Sequence, residues 1–395
     1  MIITKAEVFR ISRVLNNPIG IRVYTDSGLY GDGEAALAYG KGSNAAYGML
    51  KDLLPMIIGM DPLDHEAIWN KIYNEIFWSQ NGGPVIYGGM SAIDLALWDI
   101  RGKYFNVPVY KLLGGKVNTQ LRTYASQLQF YWGNWQEKSN GWASMGKPEE
   151  FAENALRAVK DGYTALKFDL MQTDEEGNCF GFIRVGGLQE PKVLNMIEAR
   201  MAAIREAVGP DIDILIESHG QTDTAAAVQI AKRIEKYNPF AFEEPSYPSG
   251  EITDSIARKT NLPIAHGERL YNRWQFIPML KNGSIQLAQP DLGTCGGITE
   301  GKKICDMAQA FDCGVQLHIC ASNLSVAPAL QLEAVLPNFT IHEHHVLFLQ
   351  PDNIKLAKYD YQPKNGYYEI PEIPGLGNEW SDEAFSIAAE VATIK

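Results

Sequence analysis

The sequence predicts an α/β protein whose larger part is a modified (β/α)8 barrel of the TIM type, capped by an N-terminal α+β domain. Three observations predict it. From about Leu121 onward, short apolar runs recur with helical patterns between them. Three of these runs lead into a glutamate, Glu217, Glu243 and Glu268, spaced 26 and 25 residues apart. Residues 1 to about 115 do not share that rhythm, which marks a separate unit.

At 395 residues the chain exceeds a single ordinary core, so one large and one smaller domain are expected. Ile21–Thr25 reads as a strand, Asp26-Ser27-Gly28 as a turn, and Leu29–Glu34 as the returning arm of a hairpin. Helical patterns follow over Ala45–Leu54, stopped by Pro55, then over Asp64–Trp78 and Met90–Tyr104. Strands first and helices after make residues 1–115 the capping domain.

The barrel is assigned to residues 116–364. Leu121–Ala125 reads as its first strand and Thr164–Asp169 as its second. The third to fifth, Ile212–Ile216, Pro239–Phe242 and Pro263–Gly267, lead to the glutamates. Ser284–Leu287 leads to Asp291, Val315–Leu317 to His318 and Thr340–His342 to Glu343, at steps of 23, 27 and 25 residues counted from Glu268. Two connections are long: Gln127–Lys147, with Trp132, Trp135 and Trp142, and Met171–Pro191. Long loops on the C-terminal rim of a barrel often cover its site. The tail, residues 365–395, is expected to pack back on the cap.

Hydrophobic residues make up 46% of the chain and charged residues 21%, a globular composition. The net charge of −12 argues against a nucleic-acid partner, which needs a basic face. An anionic substrate would therefore be drawn in by a metal or by site cations. The five cysteines, Cys179, Cys295, Cys305, Cys313 and Cys320, are odd in number and contain no CxxC pair, the pattern of reduced thiols in a cytoplasmic protein. No signal peptide is read at the N-terminus, and no run of about 18 apolar residues suggests a membrane span.

An acid at the C-terminal end of successive barrel strands gathers charge on one rim. Three crowded carboxylates repel one another and so imply a bound cation; all-oxygen ligation suits Mg²⁺. Asp291, His318 and Glu343 continue in the same phase. His219 stands two residues beyond Glu217, so strand alternation directs both side chains to one side. His266 bears the same relation to Glu268 and either faces the site or fills the barrel.

Taken together, Lys167-Phe168-Asp169, Glu217-Ser218-His219, Phe242-Glu243-Glu244-Pro245, His266-Gly267-Glu268-Arg269, Gln289-Pro290-Asp291, His318 and Pro374-Gly375-Leu376-Gly377 resemble the enolase superfamily, and within it the mandelate racemase subgroup. The resemblance implies abstraction of a proton beside a substrate carboxylate, with Mg²⁺ stabilising the resulting enediolate. It implies Glu217, Glu243 and Glu268 as metal ligands, with Glu244 a neighbour. His318 would be the base, oriented by Asp291, and Glu343 would hydrogen-bond the enediolate. His342, His344 and His345 around Glu343 leave that position open to a solvated histidine-rich loop.

The second strand departs from the racemase pattern. Lys167 is kept, but Asp169 stands where a racemase has a second lysine as base, and a carboxylate is a poor partner for an α-proton. Asp169 would bind a substrate hydroxyl or pair with Lys167. Glu217-x-His219 is similar to the third-strand motif of galactonate-type acid-sugar dehydratases, which implies that His219 is the general acid that protonates the leaving β-hydroxyl. Lys167 and Arg269 are candidates to counter the substrate carboxylate, with a structural rim position as the alternative for Arg269.

The expectation is thus a Mg²⁺-dependent lyase that converts an aldonate or aldarate to a 2-keto-3-deoxy acid. Specificity would come from the cap near Arg13–Pro18, and the family suggests a homo-oligomer. The rivals are an epimerase or cycloisomerase on the same scaffold, and a barrel that binds acid sugars without turnover.

Overall fold

The structure is a computed structural model that describes residues 1–12, 16–37, 41–133, 144–179 and 186–395. Trp135, Trp142 and Arg13 to Leu15 lie outside the described residues.

The cap begins with β1 (Ile3–Ile11), β2 (Ile19–Thr25) and β3 (Tyr30–Ala35), followed by α1 (Ser43–Leu53), α2 (His65–Glu75) and α3 (Pro84–Tyr104). The hairpin expected from the sequence is the β2–β3 pair, with Tyr24 opposite Tyr30. The hairpin is part of a larger antiparallel sheet, whose further strands the sequence reading omitted. Its strand order is β13-β1-β2-β3, where β13 (Ala388–Ile394) comes from the C-terminal tail and runs antiparallel to β1. The third helix starts six residues before Met90, because Pro84 presets the backbone of its first turn without needing an N–H partner.

The barrel strands are β4 (Gln120–Ser126), β5 (Ala165–Asp169), β6 (Asp213–Glu217), β7 (Ala241–Glu243), β8 (Ile264–His266), β9 (Leu287–Ala288), β10 (Gly314–Val315) and β11 (His342–His345). They lie in the order β10-β9-β8-β7-β6-β5-β4-β11, and every neighbouring pair is parallel. A parallel bridge from Val315 to Phe339, just before β11, joins the two ends of that order. After the short α4 (Val109–Leu112), the outer helices are α5 (Pro148–Lys160), α6 (Pro191–Val208), α7 (Thr224–Ile234), α8 (Gly250–Ala257), α9 (Arg273–Asn282), α10 (Gly297–Ala310) and α11 (Val326–Glu333). β5 is buried at every position, as expected of a strand covered on both faces.

The tail touches both units. β12 (Tyr367–Glu369) pairs antiparallel with β4 of the barrel, and Trp380 N donates to Asp32 Oδ2 in the cap before β13 joins β1. Arg200 on α6 ties down the two long loops. Its fully buried guanidinium donates to the carbonyls of Gly146, Leu170, Thr173 and Asp174. Trp132 is likewise buried in the barrel core, with Nε1 bonded to Asp161. All five cysteines are free thiols; Cys295, Cys305 and Cys313 are buried in the barrel half. Among the described residues no helix is long and apolar enough to cross a membrane.

Gly33 lets β3 lie directly on α3: a β-carbon there would overlap the carbonyl of Ala92. Gly33→Ala should therefore lower stability by about 1–3 kcal/mol in denaturant unfolding. Gly48→Ala, on an exposed face of α1 with open space around it, should raise stability by about 0.5–1 kcal/mol. Equal effects of the two substitutions would refute the close approach as the cause.

Candidate active site

Strand parity layers the barrel interior. Tyr124, Ala165, Leu215 and Ile341 pack together as an apolar floor. Two residues further along these segments the alternation returns to the same face. That brings Ser126, Lys167, Glu217 and Glu343 into contact above the floor. Lys167 Nζ lies 2.7 Å from Glu243 Oε1, 3.0 Å from Glu343 Oε1 and 3.2 Å from Glu217 Oε2. Ser126 Oγ donates to Glu343 Oε1 at 2.7 Å, and Ile319 N donates to Oε2 at 3.0 Å. Burial opposes the charge on Glu343, but Lys167 and His318 outweigh it and hold this carboxyl well below its ordinary range.

Glu217 and Glu243 end their strands. Glu268 lies two residues beyond β8, after Gly267, where any side chain would meet the backbone of Gln289. Carboxylate oxygens of the three glutamates lie within 4.8 Å of one another. Burial pushes Glu243 up to about 7 against the pull of Lys167, with Glu217 and Glu343 adding repulsion. Burial and the neighbouring Glu244 charge push Glu268 up to about 7, against His318 and His219. Glu243 Oε2 is buried with no hydrogen-bond partner among the described residues. Converging oxygens, mutual repulsion and an orphaned acceptor fit a small hard divalent cation such as Mg²⁺.

Two imidazole–carboxylate dyads flank this cluster. His318 Nδ1 lies 2.7 Å from Asp291 Oδ2, and its Nε2 3.1 Å from Glu268 Oε2. His219 Nδ1 lies 2.8 Å from Asp169 Oδ2, and its Nε2 3.2 Å from Glu217 Oε1. Burial disfavours the proton on His219, but Glu217 and Asp169 outweigh it and push the ring up to about 9. His318 is raised in the same way by Glu268 and Asp291 against burial.

Several sequence expectations change here. Asp169 pairs with His219, not with Lys167, and its Oδ1 accepts from the backbone of Met171 and Gln172. Both oxygens are thus engaged within the fold. His219 reaches Glu217 through a left-handed turn (φ 46°), because β6 ends at Glu217 and strand alternation stops there. Arg269, a candidate for the substrate carboxylate, is ion-paired to Glu244 instead, with Nε 3.6 Å from Glu268 Oε1. His266, fully buried, stands 3.6 Å from Glu244 Oε1. Its strand ends at His266, so the two-residue relation to Glu268 does not carry over. The histidines around Glu343 form no solvated loop: His342, His344 and His345 are buried in β11.

Sequence reasoning missed Gln127. Its Nε2 donates to Glu217 Oε2 at 2.9 Å and lies 3.3 Å from His219 Nε2. Gln129 bridges Gln127 to Gln172 and accepts from the Asp169 backbone N. Gln127 adopts φ 66°, which no composition or period signals, so its direction into the site was not readable.

Residues 150–384 match the family model described as "Enolase C-terminal domain-like", and residues 12–114 match the mandelate racemase / muconate lactonizing enzyme N-terminal domain. The chain belongs to the mandelate racemase subgroup of the enolase superfamily. It is 31% identical over 365 residues to a D-galactonate dehydratase of Verminephrobacter eiseniae (strain EF01-2), covering 91% of this chain and 87% of that protein. It is 29% identical to a D-xylonate dehydratase of Haloferax volcanii, covering 90% and 82%. A crystal structure of an enolase superfamily member from Salmonella Typhimurium superposes with a TM-score of 0.95 at 46% identity, covering 100% of this chain and 99% of that one.

In this enolase-superfamily chain the cap reaches the barrel site through Glu34. Its Oε1 accepts from Ser322 N at 3.0 Å and its Oε2 from Ser322 Oγ at 2.6 Å, and it lines one cavity with Asp291 and His318. Burial, with Asp291 adding repulsion, pushes Glu34 up to about 8 despite the Ser322 bonds. A carboxyl raised in the fold favours its neutral form, so stability falls as pH rises from about 4.5 to about 8. Glu34→Gln, which keeps both bonds to Ser322, should flatten that dependence in denaturant unfolding at several pH values. An unchanged slope would refute the assignment.

Proposed function

We propose that this enzyme is a Mg²⁺-dependent acid-sugar dehydratase, a carbon–oxygen lyase that takes an aldonate or aldarate to its 2-keto-3-deoxy acid. The observation that carries the reading is the pair of dyads, His318–Asp291 and His219–Asp169, with both Nε2 atoms turned to one glutamate cluster. The names of the D-galactonate and D-xylonate dehydratase relatives support the substrate class.

Glu217, Glu243 and Glu268 would hold Mg²⁺, which when bound supplies the positive charge that makes a proton beside a carboxylate acidic. Lys167, buried beside the same glutamates, adds a fixed positive charge on the side of the substrate carboxylate. His318 Nε2 removes the α-proton, and Asp291 at Nδ1 fixes the tautomer and steadies the imidazolium that forms. His219, protonated at Nε2, gives its proton to the departing 3-hydroxyl, which leaves as water. Asp169 orients His219 as Asp291 orients His318. Glu343, held ionised by Lys167, Ser126 and Ile319 N, fixes the Lys167 ammonium at the centre of the site. The enol product then tautomerises to the 2-keto acid.

The likeness of the two dyads supports a second reading, epimerisation at the α-carbon, in which His219 returns the proton to the opposite face. One experiment separates them. Aldonates and aldarates incubated with the enzyme and Mg²⁺ in deuterium oxide should yield 2-keto acids from at least one sugar. Solvent deuterium at the α-carbon without water loss would favour epimerisation, and silence across the set would sink both.

His318→Asn should abolish dehydration and α-proton exchange together. His219→Asn should slow dehydration by about 10²–10⁴-fold while exchange persists. Loss of exchange in both variants would overturn the division of roles. Glu243→Gln should abolish Mg²⁺ binding in titration calorimetry; unchanged affinity would refute the ligand set.

A further inference from the structure

We propose that His345 is a neutral hydrogen-bond donor that selects the substrate by one hydroxyl of its carbon chain; this rests on the acid-sugar reading above. His345 follows Glu343 by two residues in β11, so the pleat turns it to the same inward face. The charged groups that act on it are Glu343, Lys167, His318 and His219, the groups of the catalytic layer. Its strand neighbours His342 and His344 point the other way. His342 is bonded to Glu333, His344 to the Tyr368 hydroxyl, and each is 0% exposed, whereas His345 keeps 4%.

One hydrogen bond sets the tautomer of His345. The backbone N of Leu347 donates to Nδ1 at 3.0 Å, so Nδ1 carries a lone pair and the ring proton sits on Nε2. Burial disfavours the imidazolium and lowers the ring to about 3, so this tautomer is kept at neutral pH. Nε2–H makes no hydrogen bond to any described residue. Unlike Nε2 of His342 and of His344, which are buried without a partner, Nε2 of His345 is not closed off by the fold, so an oxygen atom of a bound ligand can reach it and accept its proton. On that reading the substrate carboxylate would be countered by Lys167 and by the metal that the three glutamates would hold, and the two dyads would serve C2 and C3. A hydroxyl further along the chain is the acceptor this uncharged donor suits. A site built to bond one hydroxyl discriminates strongly against the analogue that lacks it.

The test compares the best acid sugar with deoxy analogues, each lacking one hydroxyl beyond C3, on wild type, His345→Phe and His345→Gln. For wild type, one analogue should fall about tenfold or more in kcat/KM. His345→Phe should lose about the same factor on the full substrate and cease to distinguish that analogue. His345→Gln, which can still donate, should recover part of the loss. Equal losses on every substrate, or no loss, overturn the inference. Turnover of no acid sugar by wild type overturns the dehydratase reading and this inference with it. A second readout needs no turnover: ¹⁵N resonances of the His345 ring should report a pyridine-like Nδ1 and a protonated Nε2. A protonated Nδ1 would overturn the proposal outright.

Discussion

The Lys167 ammonium is the constraint on which the interior of this barrel depends. Glu217, Glu243, Glu268, Glu343, Asp169 and Asp291 converge at one end of the strands, and most are almost fully buried. Charges in such a place survive only when paired or coordinated. Lys167 touches three of the six, and the two imidazoles take up the others. Burial, with the repulsion of neighbouring carboxylates, pushes Glu243 and Glu268 up to about 7, which leaves the cluster short of positive charge where Glu217, Glu243 and Glu268 meet. A divalent cation held there would complete the balance. The same excess of negative charge that strains the folded chain is what fits the three glutamates to hold a metal ion.

Around that centre, polar residues remote in sequence fix the parts that strand geometry leaves loose. Arg200 gathers four carbonyls from the segments after β4 and β5, so one buried guanidinium sets the roots of both long loops. The Arg269–Glu244 pair, with His266 behind it, braces the backbone on either side of Glu243 and Glu268. Glu34 carries the cap to the seam beside Asp291 and His318. These contacts hold the glutamate cluster and His318 from behind.

What was legible in the sequence follows from what repeats. The barrel strands, the three glutamates, Asp291 and His318 share one phase along the chain, and a parallel barrel turns equal phase into one rim. The hairpin and the main helices of the cap were legible from their turn and stop signals. β1 and β13 were not, because a strand completed by the far end of the chain carries no local signal of its partner. Gln127, the partner of Asp169 and the direction of His266 were hidden for a related reason. Each lies at or beyond a strand end, where φ turns positive or the alternation lapses, and only tertiary packing decides where the side chain goes.

The replacement of a second lysine by Asp169 is the point at which that packing becomes chemistry. A lysine there would add a positive charge two residues along the same strand from Lys167. The aspartate instead gives His219 what Asp291 gives His318: a carboxylate at Nδ1 that leaves Nε2 as the working atom. On the proposed reading, the two imidazoles of matched orientation would act in opposite senses in one turnover, His318 taking a proton as His219 gives one. An ammonium at position 169 would oppose the charged form of His219, and with it the proton needed by a departing hydroxyl. On the same reading His318 would be the base and His219, through its contact with Asp169, the acid that turns proton abstraction into elimination.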